Sequence, residues 1–326
     1  MKLLNIVGIA LGVALTGGAA HAQNVGKIRI AEADSFSAED LPQLIAYARA
    51  KQRGVEIQAT ALKSDDIAFQ SVLNGQMDMG VGDSYEAINN LKAPIRNIYQ
   101  IRKLAYVPVV DKTVYPDWKS LNGQTFVVHS RGSGTETMAQ IMEKKSGIKF
   151  DKISYVPGSE VRVVAMQRGN IKATYLDLTS SKVLIDSDPK RFGALPVQDQ
   201  DASDSTFYVS TKFAEANPRA VQILLEELLK AAKATAADPS WPAAQRKELK
   251  LLPDLADKEV AEITPYFTRA VAAGIFPVDG GGKTAAQADV DFLSLAGKLK
   301  SETSGGLDAY WDFKPLEAAS KAVGAK

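Results

Sequence analysis

An alternation of strand and helix patterns that occurs twice constrains this chain more than any other feature. Lys27-Ile28-Arg29-Ile30-Ala31-Glu32 alternates polar and apolar residues as a strand does, and Asp34-Ser35-Phe36-Ser37 follows as a loop. Leu41, Leu44, Ile45 and Ala48 recur at helical spacing until Gly54. Residues 55–59 read as a second strand, and Ser64 or Asp65 caps a helix carrying Ile67, Val72 and Leu73. Residues 77–81 form a third strand, which runs into Gly82-Asp83-Ser84-Tyr85. An extended run, 95–110, then leads to a reset at Tyr115-Pro116-Asp117-Trp118.

The second series begins at Phe126-Val127-Val128-His129. That apolar run stops at Ser130-Arg131-Gly132-Ser133-Gly134-Thr135-Glu136, and helical spacing (Met138, Ile141, Met142) starts at once. A strand over 152–156, a helix from Ser159 carrying Val161, Val164 and Ala165, and a strand Ala173-Thr174-Tyr175-Leu176 ending at Asp177 complete it. Successive βα units of this length predict mainly parallel sheets covered by helices on both faces. Their duplication predicts two α/β lobes with a cleft between them. A polar stretch over 198–204 precedes a strand at Phe207-Tyr208-Val209. Beyond it, Val221, Leu224, Leu225, Leu228 and Leu229 make a wide helical stripe that ends at Asp238-Pro239, with Glu226 and Lys230 read as a surface pair.

Lys2, the apolar run 6–15 and Ala20-His21-Ala22 match a secretory leader cleaved before Gln23, so residues 1–22 read as a signal peptide. The chain has no cysteine, which excludes disulfides, thiolate metal sites and a cysteine-linked lipid anchor. The 304 residues after Ala22 are enough for two lobes and carry 38 basic against 38 acidic side chains. That balance argues against nucleic acid as a partner, because phosphate binding needs a basic surface. His129 is the only imidazole beyond the leader, so a histidine metal site is excluded. Any Ser-His-acid triad would have to use it, and Gly132-Ser133-Gly134 lacks the spacing of a nucleophile elbow. Gly280-Gly281-Gly282-Lys283-Thr284 resembles the end of a P-loop, but Pro277 stands where the first glycine is required, and the segment reads as a flexible loop.

The loop 130–136 aims backbone N–H groups and a helix dipole at one small volume, which suits an anion. Ser133 and Glu136 also have capping-box spacing, so the loop serves its own helix as well.

Several segments together resemble the substrate-binding proteins of ABC importers in the nitrate, sulfonate, taurine and thiamine-pyrimidine group. They are Ser120-Leu121-Asn122-Gly123, the loop 130–135, Tyr155-Val156-Pro157-Gly158-Ser159-Glu160-Val161-Arg162, the segment 73–83, Gly274-Ile275-Phe276-Pro277, Gly280-Gly281 and Tyr310-Trp311-Asp312-Phe313-Lys314-Pro315-Leu316-Glu317. The resemblance implies a type II periplasmic binding protein of α/β class, with two lobes joined by two crossings. Lobe I would hold residues 23–108 and 204–326 and lobe II residues 109–203, with crossings near 107–112 and 196–204. It implies a periplasmic location, no cofactor, no enzymatic activity, a monomer, and as partners a small organic ligand, a membrane permease and its ATPase. Position by position it selects Asp34, Ser35, Phe36, Asp83, Ser84, Tyr85, Arg131, Gly132, Ser133, Gly134, Thr135 and Asp177 as ligand-binding candidates. Arg131 and the N–H groups of 133–135 suit a sulfonate or carboxylate, with Phe36 or Tyr85 covering the organic part. Asp34, Asp83, Asp177 and Glu136 suit an amine, an aminosulfonate or a neutral heterocycle, so the sign of the ligand's charge stays open. The alternatives are the receptor of an ion-driven transporter of the TRAP type and a secreted enzyme on the same architecture.

Overall fold

The structure, a computed structural model, describes residues 25–62, 64–197, 201–299 and 305–324. The proposed signal peptide and residues 198–200 of the second crossing lie outside the described residues.

The chain first forms β1 (Gly26–Glu32), α1 (Leu41–Gln52), β2 (Val55–Ala61), α2 (Asp65–Leu73), β3 (Met79–Gly82), α3 (Tyr85–Leu91) and β4 (Ile95–Lys103). It continues with β5 (Val107–Asp111), β6 (Thr125–Val128), α4 (Gly134–Ser146), β7 (Lys152–Tyr155), α5 (Ser159–Gln167), β8 (Ala173–Leu176), α6 (Leu178–Ser187) and β9 (Phe192–Ala194). It ends with β10 (Ser203–Ser210), α7 (Thr211–Ala216), α8 (Pro218–Ala237), α9 (Trp241–Leu249), α10 (Asp257–Ala272), α11 (Gly282–Ala296) and α12 (Lys314–Ala322).

Two five-stranded sheets result, ordered β2-β1-β3-β10-β4 and β7-β6-β8-β5-β9. In each, three parallel strands are followed by an antiparallel fourth, β10 in the first sheet and β5 in the second. The 95–110 run divides into β4 and β5, which belong to different sheets. Val107 already pairs with Leu176, so the first crossing is only 104–106. The chain returns after Leu195, whose N–H still bonds Pro108 O at 2.9 Å. Parallel strands carry their loops at one end, and the two loop-bearing ends face each other across the crossings.

The strand β4 edges the first sheet, and its outward amides are covered by the C-terminal third of the chain. Asn97 N–H bonds Tyr310 O at 2.8 Å, and the amides of Gln100 and Lys103 bond Gly280 O and Ile275 O, each at 2.9 Å. Covered in this way, the edge cannot template pairing with another chain. The glycine segment 280–282 is therefore a docked turn rather than a flexible loop. A Cβ on Gly280 would fall 2.7 Å from the Tyr99 ring, and the φ of +76° there favours glycine. Nor is Glu226 a surface partner of Lys230. Glu226 and Glu227 are buried on α8 and bind the Arg53 guanidinium, each at 2.6 Å, while Lys230 reaches Glu227.

The tight β3–β10 approach makes Gly80 indispensable, because an added Cβ would lie 2.3 Å from the buried Tyr208 ring. Gly80→Ala is expected to lower stability by about 1–3 kcal/mol through overpacking. Urea denaturation checks this, and an unchanged midpoint contradicts it.

Candidate functional site

The loops at the strand ends of the two sheets touch through the first residue of α2. Asp65 is only 8% exposed. Its Oδ1 accepts the N–H of Asp83 at 3.0 Å, and its Oδ2 accepts the hydroxyl of Ser130 from the second sheet at 2.8 Å. Gly82 makes room for this carboxylate: a Cβ there would stand 2.4 Å from Asp65 Oδ1, and φ is +145°. A second meeting point is His129, whose Nδ1 lies 3.9 Å from Asp34 Oδ2.

The loop 130–136 is built from its own hydroxyls. Ser133 is the N-cap of α4 and its Oγ accepts the N–H of Glu136 while donating to Ser130 O at 2.8 Å. Thr135 Oγ1 accepts the N–H of His129 at 3.1 Å. The Glu136 carboxylate does not close a capping box onto Ser133. It takes the Gly132 N–H at 2.9 Å, the Tyr155 hydroxyl at 2.6 Å and the Lys298 ammonium at 2.9 Å. Gly132, at φ +82°, permits the turn that brings its N–H onto Glu136. The first-turn N–H groups of Gly134 and Thr135 have no hydrogen-bond partner among the described residues.

Several candidates take structural roles. Ser84 is fully buried and donates to Asn97 Oδ1 at 2.7 Å. Tyr85 is a core residue, bonded to Asp289 at 2.7 Å, to Trp311 Nε1, and packed on Tyr310, so it is not a cover for a ligand. Arg131 is exposed and its guanidinium lies 5.7 Å over the Tyr155 ring, in an outer groove of about 710 Å³ shared with Glu86 and Lys298. Asp177 caps α6 by accepting the Ser180 N–H at 2.7 Å, and Asp34 turns its own loop by accepting from Ser35 at 2.8 Å. Phe36 packs half-buried on the core, and Ser35 is exposed. Asp83, Gly132, Ser133, Gly134 and Thr135 remain with the strand-end loops.

Other residues at the same place were not singled out from sequence. Asp65 reads in sequence only as a cap, and nothing local shows that it reaches Ser130. Arg102, at the end of β4, pairs with Asp40 at 3.0 Å and with Asp204 at 3.3 Å, and the Leu104 N–H bonds Ala202 O at 2.8 Å, so both crossings share one network. Arg162 is 1% exposed and bonds Tyr175 O, Val156 O and Ser159 Oγ at 2.7–3.1 Å, tying together the loops after β7 and β8. Burial lowers its affinity for the proton, and the charges of Asp177 and Asp34 work against that. The quoted Tyr155–Arg162 motif contains this arginine, but its burial is a tertiary property.

The strand ends of the first sheet are rich in carboxyl groups held away from water. Burial first, and then the charge of Asp65, push the Asp83 carboxyl up to about 8. Burial also raises Asp204, Glu32 to about 7 and Asp289 to about 6. Asp83, Tyr85, Asp204, Thr206 and Asp289 enclose a cavity of about 10 Å³, the size of one water.

A carboxyl whose folded pKa is raised binds its proton more tightly in the folded chain. Its contribution to stability is full below the unfolded value of about 4 and is lost as pH rises through the folded value. The urea midpoint is therefore expected to fall between about pH 5 and pH 8.5, and to fall less steeply in Asp83→Asn. Equal slopes in the two proteins contradict this assignment.

The fold is shared with solved structures of low sequence identity. A protein from Bordetella bronchiseptica RB50 superposes with a TM-score of 0.73 at 17% identity, over 91% of this chain and 98% of that one. The periplasmic nitrate-binding protein NrtA from Synechocystis PCC 6803 gives 0.67 at 10% identity, over 92% and 89%. The alkanesulfonate-binding protein SsuA from Xanthomonas axonopodis pv. citri, bound to MOPS, gives 0.59 at 17% identity, over 87% and 98%. These likenesses establish the periplasmic binding protein fold, with its two α/β lobes. No curated protein matches the chain. The sequence profile of the NMT1/THI5-like proteins matches residues 51–241, more than half of the chain, and the chain therefore belongs to that family.

Proposed function

We propose that this protein is the periplasmic solute-binding component of an ABC importer, exported by its leader, which hands a small organic molecule to a membrane permease and its ATPase. The observation that carries this reading is the contact between strand-end loops of two separate sheets, Asp65 to Ser130 at 2.8 Å. A ligand entering there touches both lobes, so it stabilises the closed arrangement over the open one. Family membership and the fold shared with nitrate- and alkanesulfonate-binding proteins support it.

The charges around that contact favour a ligand with both signs. The first lobe supplies the Asp65 carboxylate, with Asp83 and Asp204 beside it whose raised proton affinity favours the neutral acid, and Asp204 also stands beside Arg102. The second lobe supplies the N–H groups of Gly134 and Thr135, His129, and the guanidinium of Arg162 behind its loops. A simple anion would face the Asp65 carboxylate with no cation beside it, whereas the ammonium of an aminosulfonate or amino acid offsets that charge while its acid group meets the α4 N-terminus.

Mass spectrometry of protein purified from its native periplasm, with thermal shifts against taurine and other aminosulfonates, amino acids, alkanesulfonates, nitrate and pyrimidines, tests the reading. The expected outcome is a shift with an amine-bearing acid, and a loss of affinity of about ten-fold or more in Asp65→Asn. A shift confined to simple anions overturns the ligand class, and turnover of any compound overturns the binding-protein reading.

A further inference from the structure

A further link between the lobes is made by a lysine that follows α11. That helix packs along β4 and β10 of the first lobe, and its far end leans on α4 of the second, where Lys144 Nζ bonds Leu295 O at 3.0 Å. The Lys298 ammonium stands between two carboxylates from different lobes, 3.0 Å from Glu86 Oε2 on α3 and 2.9 Å from Glu136 Oε2 on α4. The Lys298 and Glu136 side chains are each 8% exposed, and Glu86 at 39% forms the rim facing the outer groove.

We propose that Lys298 is an interlobe latch: it holds α3 and α4 together in the closed arrangement and, through Glu136, positions the Gly132 amide of the α4 loop. Parting the lobes pulls the ammonium from one of its carboxylates. If Glu136 is the one released, its carboxylate loses its cationic partner and keeps only neutral donors, Gly132 N–H and Tyr155 OH. An uncompensated buried charge is strongly unfavourable, so the pair resists separation far more than an exposed ion pair does. Burial works against the charge of both groups. The contacts with Lys298 and Tyr155 nonetheless hold the Glu136 carboxyl below its usual range, and Glu136 and Glu86 hold Lys298 above its own. The latch ends on the same carboxylate that fixes Gly132, so lobe closure and loop order are coupled through one side chain.

The absence of cysteine makes the test direct. Ile67→Cys on α2 and Val164→Cys on α5, at positions 55% and 44% exposed, place one spin label on each lobe of the full chain. Pulsed dipolar distances are recorded with no ligand added, so the result is independent of the transport reading. In the Lys298→Met background the ratio of short to long interlobe distances is expected to fall about ten-fold. Hydrogen exchange at the Gly132 amide is expected to rise in parallel, and Lys298→Arg should restore both. A Lys298→Met distribution superimposable on the parent overturns the proposal, as does a lengthening that arginine fails to reverse. Should Lys298→Met lose its cooperative unfolding, Glu86→Gln at the rim decides. A smaller lengthening is expected there, and no change counts against the latch.

Discussion

The Asp65 carboxylate holds the candidate site together. One oxygen receives the backbone of the loop after β3 and the other receives a hydroxyl from the loop after β6, so a single side chain bridges two sheets that share no strand. Its position follows from α2, which begins at Asp65 and places a carboxylate on its positive end. Its charge adds to the burial of Asp83 in raising that neighbour's proton affinity. The glycine at 82 and the Ser130 contact thus both answer to one buried carboxylate.

The rest of the chain keeps that meeting point in register. Arg102 and Asp204 join both crossings at the end of the first sheet, and the Leu104 N–H bonds Ala202 O at 2.8 Å. The C-terminal third acts at a distance: Ile275, Gly280 and Tyr310 cover the β4 edge, and Trp311 buries its indole against Tyr85. This anchors α11, the helix that carries Lys298 to the interface.

The charge pattern also explains why helix caps and ligand candidates coincide in this fold. Loops after parallel strands are the N-terminal approaches of helices, so Asp, Ser and Gly are placed there for capping whether or not a ligand binds. Asp177 and Ser133 illustrate this, each satisfying a first-turn N–H of its own helix. At Ser133 the cap uses the side chain and leaves the amides of Gly134 and Thr135 without a hydrogen-bond partner among the described residues.

Local periodicity was enough to read the two βα series, their strands at 27–32, 126–128 and 173–176, and the wide apolar stripe of α8. These depend on spacing along the chain, and a periodic burial pattern survives in the linear sequence. The strand-to-helix loop 130–136 was likewise legible as a turn at a helix start, while Asp83 was selected by resemblance. The partner of each charged group depends on chain segments far apart in sequence and was decided only by packing. Asp65 found Ser130, Arg53 found Glu226 and Glu227 in place of a Lys230 pair, and Lys298 found Glu86 and Glu136. Tyr85 and Ser84 turned inward for the same reason: a loop composition cannot state which of its side chains faces the core. The sequence by itself determined the elements and the ends that carry the site, because backbone propensity and hydrophobic period are local. The tertiary structure decided which groups touch, because burial and Coulomb energy depend on distances that only the folded chain possesses.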